Sequence, residues 1–204
     1  MPGVRTLFDS TKGWREVQTA REFPFDYREH LVNEEGAEVD LSRLLASPLD
    51  EVNYSVAHAG LVIVTHDAVI TYNGGVVLLE RTGAPLNGFI WLPGGRLARG
   101  IPAGLSLYHR VKSECGIEIA NIEFAGIERA FMRTDPFGHG KGTDTIGLVY
   151  FADGDGEVAV DQRHKNLRVV TPPDYKALRG ELHPFIQKYT DEAIRRITES
   201  HKPP

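Results

Sequence analysis

Trp91-Leu92-Pro93-Gly94-Gly95-Arg96 is the stretch on which the fold turns. Two adjacent glycines after a proline let a backbone bend sharply and approach its neighbours closely. Six residues after Arg96, Pro102 suits the first turn of a helix. Leu107 and Val111 then share one stripe with Glu114 near its edge, and Gly116 suits the position just past the end. The pattern predicts a strand that turns at Gly94-Gly95 and leads to a helix over 102–115, with Gly104 inside it. On that helix Arg110 and Glu114 stand four residues apart, a spacing at which opposite charges attract.

Outward from this centre the chain is rich in strand signals. Strands are predicted over 60–65, 68–72 and 76–80, the last two joined by Asn73-Gly74, a strong hairpin turn. Further strands fall near 122–130, 145–151 and 167–170. Asp153-Gly154-Asp155-Gly156 lacks the spaced acidic ligands of a calcium loop and reads as a plain turn. Residues 134–142, punctuated by Gly138, Gly140 and Gly142, read as a surface loop in which His139 and Lys141 are the side chains able to touch a ligand. The other histidines, His30, His58, His66, His109, His183 and His201, show no ligand spacing and take no role.

Residues 1–52 form an N-terminal extension suited to packing on a core or a partner, with a helical stretch at 41–46 ended by Ser47-Pro48. The core spans 53–175, and 176–204 carries a C-terminal helix with Phe185, Tyr189, Ile194 and Ile197 at helical intervals. That helix closes over the sheet or joins a homodimer interface.

Composition narrows the function classes. The 204 residues are 41% hydrophobic and 25% charged, ordinary for a soluble chain with a full core. Against 28 acidic side chains stand 23 Lys and Arg, so the net charge of −5 offers no basic field for nucleic acid. A single cysteine, Cys115, rules out an internal disulfide and reads as a packed side chain. No apolar run approaches the ~18 residues of a membrane span, and no signal-peptide core is visible, so the expected location is cytoplasmic. Without a secretory route, the sequon Asn53-Tyr54-Ser55 reads as chance.

The run from Gly95 to Ile117 resembles the Nudix hydrolase signature, Gly-x5-Glu-x7-Arg-Glu-U-x-Glu-Glu-x-Gly-U with U aliphatic. It keeps Gly95, Val111, Glu114, Gly116 and Ile117, but carries Ile101, His109, Arg110 and Ser113 at four charged positions. Two further stretches resemble the GDP-mannose mannosyl hydrolase branch. One is Arg81-Thr82-x-x-Pro85-x-x-Gly88-Phe89-x-x-Leu92-Pro93-Gly94-Gly95-Arg96. The other comprises Gly142-Thr143-Asp144 and His164-x-x-x-Arg168-x-x-Thr171-Pro172. The resemblance covers 68–172, about half the chain, and the glycine-proline run is its most specific part.

It implies an α/β fold, a Nudix α/β/α sandwich with a mixed curved sheet, and hydrolysis of a nucleoside diphosphate linked to a sugar or similar group. In that branch water attacks the sugar carbon, and the diphosphate leaves with cations near its oxygens. Carried over, His164 is the base, with Arg81 beside it in catalysis. Arg81, Arg96 and Asp144 hold substrate, and Glu114 with the Gly94 and Gly95 carbonyls binds one Mg²⁺.

Arg163 stands where the branch has a ligating Gln, with Gln162 one position earlier, and Ile101 removes a carboxylate. Either Mg²⁺ is held by Glu114, glycine carbonyls and waters, or Arg110 and Arg163 replace its charge. The same departures fit a noncatalytic Nudix module that binds a nucleotide or nucleotide-sugar. A third reading is a hydrolase that attacks at phosphorus.

Overall fold

An antiparallel hairpin of β1 (Val4–Asp9) and β2 (Gly13–Gln18) comes first in the computed structural model, which describes residues 4–9, 13–18, 27–32, 34–35, 37–160 and 164–200. The extension then packs on the core. Tyr27 stacks on Phe124 with ring centroids 5.4 Å apart, and the Glu29 carboxylate accepts the Ala103 N–H at 2.7 Å. A 3₁₀ turn, Leu41–Leu44, replaces the longer helix expected at 41–46.

Helix α1 (Glu51–Gly60) corrects the strand expected from residue 60 and crosses the expected 52/53 boundary. The Asp50 side chain accepts the Asn53 N–H at 2.9 Å, satisfying one of the donors left open at a helix start. Leu61 is extended and ends the helix. β3 (Ile63–Tyr72) is one continuous strand and not the two predicted, and Asn73 and Gly74, with φ of 47° and 76°, turn it into β4 (Gly75–Arg81).

After β5 (Ile90–Trp91) and β6 (Gly94–Arg96) comes helix α2 (Ala103–Cys115), close to the predicted 102–115. It ends at Gly116, whose φ of 73° is left-handed and where a Cβ would lie 2.7 Å from the Ala159 nitrogen. β7 (Glu118–Met132), β8 (Thr143–Asp155) and β9 (His164–Val170) are longer than predicted. Helices α3 (Pro172–Leu178) and α4 (Pro184–Ser200) complete the described chain.

The sheet runs β5-β4-β3-β8-β7, with β6 also on β3 and β9 on β4; β3 and β8 are parallel and the other pairs antiparallel. Alternation along the strands builds a helix layer on each face. Ala68, Ile70, Val77 and Leu79 meet Leu107, Val111 and Cys115 of α2. Val69, Val76 and Leu78 share the opposite core with Ile186, Tyr189, Ala193 and Ile197 of α4. The architecture is therefore the expected α/β/α sandwich with a mixed sheet. The C-terminal helix closes over the sheet, each large aliphatic contributing about 1.5–3 kcal/mol. No described helix is long and apolar enough to cross a membrane.

Candidate functional site

The face of β3 and β8 that carries Val69, Val149 and Phe151 in the α4 core changes character toward the start of both strands. There Ile63, Thr65 and Asp67, with Thr143, Thr145 and Gly147, line a cavity of about 660 Å³. That volume suits a small-molecule ligand. The β6 turn adds Gly94, Gly95 and Arg96, α2 adds Arg110 and Glu114, and α1 adds Tyr54 and His58.

Glu114 is 4% exposed. Its Oε2 accepts the Gly94 N–H at 3.0 Å, and Arg110 Nη1 lies 3.7 Å from its Oε1. Arg81 donates from Nε to the Pro85 carbonyl at 3.1 Å, while the chain closes around it through Arg81 N–H to Phe89 O and Gly88 N–H to Arg81 O. Burial pulls the Arg81 pKa down, and Glu114 and Asp67 pull it back.

Asp67 is 8% exposed, and burial pushes its carboxyl up to about 7 against the opposing pull of Arg81 and the Trp91 indole N–H. Two glycines make room beside it. A Cβ at Gly94 would strike the His66 carbonyl oxygen, and one at Gly147 would lie 3.5 Å from Asp67 Oδ2. His66 points away, hydrogen-bonded through Nε2 to Ser106 Oγ at 2.7 Å, and burial lowers its pKa to about 4. It is therefore neutral and ties β3 to α2.

The opposite wall is made of rings. Arg96 lies 4.0 Å from the Tyr54 centroid, and Tyr54 meets Phe137 edge-on at 5.1 Å. His58 Nδ1 and His139 Nε2 share a hydrogen bond of 2.8 Å, with burial and then His139 lowering the His58 pKa. The Asp135 carboxylate accepts the N–H groups of Phe137, His139 and Gly140. The 134–142 segment is thus the expected surface loop, tied through its own turn and to α1. Of its two candidates, His139 contacts His58, and Phe137 is the ring lining the cavity.

Arg81, Arg96, Gly94, Gly95 and Glu114, spread over 81–114 in the chain, lie around one cavity. Asp144 does not. Its neighbours Thr143 and Thr145 face the cavity, so strand alternation turns Asp144 outward, where Arg129 Nε and Nη2 donate to it at 3.1 and 2.9 Å. The β4–β9 register sets His164 opposite Arg81, whereas Gln162 and Arg163 lie outside the described residues. Sequence reasoning missed Asp67, Tyr54, His58 and Phe137.

A Mg²⁺ ion needs oxygen ligands at about 2.1 Å. The Gly94 N–H donates to one Glu114 oxygen, and the other Glu114 oxygen faces Arg110. Among the described residues no three His, Cys, Asp or Glu side chains gather as a metal cage. The one carboxylate expected at the ion is already paired with a guanidinium, an arrangement that does not suit a divalent cation beside it.

No family model matches the chain. Low-salt glycan biosynthesis protein Agl8 of Haloferax volcanii is 30% identical over 148 residues, covering 71% of this chain and 88% of that protein. The NUDIX domain of Shewanella oneidensis NrtR, crystallised with ADP-ribose, has a TM-score of 0.53 at 16% identity over 73% of this chain and 99% of its own. A NUDIX hydrolase from Nitrosomonas europaea has a TM-score of 0.51 at 16% identity, covering 71% and 93% respectively. Those two likenesses are of fold.

Proposed function

We propose that this chain, which has the Nudix fold and resembles the Nudix signature in sequence, hydrolyses a nucleoside diphosphate linked to a sugar or similar group. The observation that carries this reading is the convergence of Arg81, Arg96 and Arg110 on one cavity of about 660 Å³. Planar guanidinium forks match phosphate oxygens and neutralise charge gathering on a departing diphosphate. The Tyr54 and Phe137 rings offer a planar surface to the group attached to it. ADP-ribose, the ligand of the Shewanella domain, is chemistry of this kind, and the name of the Haloferax relative refers to glycan assembly.

In this reading water attacks the sugar carbon. His164, paired by register with Arg81, takes the proton of the water, and Arg81 and Arg96 hold the diphosphate. A panel of nucleoside diphosphate sugars turned over in ¹⁸O-labelled water tests it. Label in the sugar is expected; label in the phosphate would overturn attack at carbon. His164→Gln should lower turnover by ~10²-fold or more while leaving affinity nearly unchanged.

A second reading, a noncatalytic module that binds the same ligands, is favoured by one observation. Glu114, the carboxylate kept from the hydrolase signature, is already engaged by Arg110 and the Gly94 N–H. Tight binding with label in neither product would make it the better account.

A further inference from the structure

We propose that Arg110 is a built-in replacement for the divalent cation, so that the cavity binds its diphosphate ligand without metal. The inference rests on the reading of the cavity as a diphosphate site. It begins from position. Arg110 lines the cavity, its side chain 31% exposed, and its Nη1 lies 3.7 Å from Glu114 Oε1. The same guanidinium covers the glycine turn, because a Cβ on Gly95 would lie 3.1 Å from Arg110 Nε and 3.4 Å from its Cζ. A positive charge therefore already sits between Glu114 and Gly95, the residues that would otherwise hold the ion.

The surrounding acids support the same conclusion. Asp67 is hydrogen-bonded by the Trp91 indole, Glu128 by Lys188 and Tyr189, and Glu114 by the Gly94 N–H beside its Arg110 contact. An entering divalent ion would have to displace Arg110 from Glu114, then remain close to two repelling guanidiniums, Arg110 and Arg81, which also senses Glu114. Arginine suits this position where lysine would not. Its donors form a fork, so part of the guanidinium can stay on Glu114 while the rest meets a phosphate oxygen. Glu114 is then a positioning residue that aims Arg110, and Gly95 keeps the turn low enough for the guanidinium to lie over it.

Titration calorimetry of the full chain with ADP-ribose, in chelator and again in Mg²⁺, tests this. Wild-type affinity should agree within twofold between the two buffers, and Mg²⁺ titrated alone should give no binding. Arg110→Gln should bind ADP-ribose at least tenfold more weakly in chelator, with Arg110→Lys between the two, and circular dichroism should show both variants folded. Freed of its partner, Glu114 in Arg110→Gln should let Mg²⁺ restore part of the affinity. Wild-type binding that appears only with Mg²⁺, or an Arg110→Gln variant of unchanged affinity, would overturn the inference and leave the diphosphate reading intact. Absence of ADP-ribose binding in both buffers would overturn the diphosphate reading, and the inference with it.

Discussion

On one side of the cavity, α2 with the adjoining β3 and β4 presents charges, Arg110 with Glu114 and Arg81 drawn to Glu114 and Asp67. The α1 side presents rings, with Tyr54 against Phe137 and His58 against His139. The charged wall draws on residues 67–114, in the middle of the chain, whereas His58 and His139 are 81 positions apart. The first suits the part of a ligand that every nucleoside diphosphate sugar shares. The second suits the part by which such ligands differ. The walls are therefore expected to respond differently to substitution.

The largest effect should come from the charged wall. Arg81→Ala removes the guanidinium that Glu114 and Asp67 attract and that a phosphate would meet, and loss of one partner from a buried charge pair costs about 2–5 kcal/mol. ADP-ribose affinity by calorimetry should fall by two orders of magnitude or more. A loss under tenfold would remove this wall as the phosphate site.

Next comes a pH effect on stability. Asp67 has its pKa raised to about 7. Its contribution to stability is thus complete below ~3.9, the unfolded value, and is lost as pH rises toward 7. His66, lowered to about 4, works in the opposite sense. Its contribution is complete above ~6.5 and is lost as pH falls toward 4. Between these limits the two slopes oppose each other. Asp67→Asn should leave the histidine slope alone, so that denaturant stability of the variant rises with pH relative to the parent, by up to about 1.4 kcal/mol per unit. Parallel profiles would contradict the burial of Asp67.

Smaller again is the ring wall. Phe137→Ala should weaken ADP-ribose binding by about 1–3 kcal/mol, the scale of base stacking on an aromatic, while inorganic pyrophosphate, which has no ring, should be unaffected. Equal loss for both ligands would erase the distinction between the walls. The smallest effect is expected for His58→Ala, which removes one hydrogen bond, worth about 1 kcal/mol, in thermal denaturation at pH 8. His58 has its pKa lowered by burial, so its contribution is full above ~6.5 and fades in acid.

The charged wall was largely legible in the sequence. The Gly94-Gly95 turn, the helix from Pro102 and the spacing of Arg110 from Glu114 are local signals that tertiary packing left in place. Asp67 was missed, although its trace is in the sequence. The pair His66-Asp67 interrupts an apolar run and predicts a gap between strands, yet β3 continues through it. His66 is satisfied by Ser106 and Asp67 borders a cavity, so the interruption marks the site and not a turn. The ring wall left no comparable trace. Val52 and Val56 of α1 face solvent, which blurs the helical pattern, and the His58–His139 contact exists only once the chain has folded. Asp144 fits the resemblance by position, but the Thr-Asp-Thr alternation across 143–145 already turns it to the other face of β8.

The position of α1 also sets where the polypeptide can be divided. Asn53 and Tyr54 open the stretch that sequence patterning assigns to the core, yet the cap on Asp50 that starts their helix belongs to the preceding extension. A fragment trimmed to the resemblance alone, 68–172, would retain the arginines at 81, 96 and 110 but forfeit Tyr54, His58 and the support they lend to Phe137. Grafting this cavity-bearing unit onto another protein, or shortening it for expression, therefore requires a junction upstream of residue 50 if the ring wall is to travel with it.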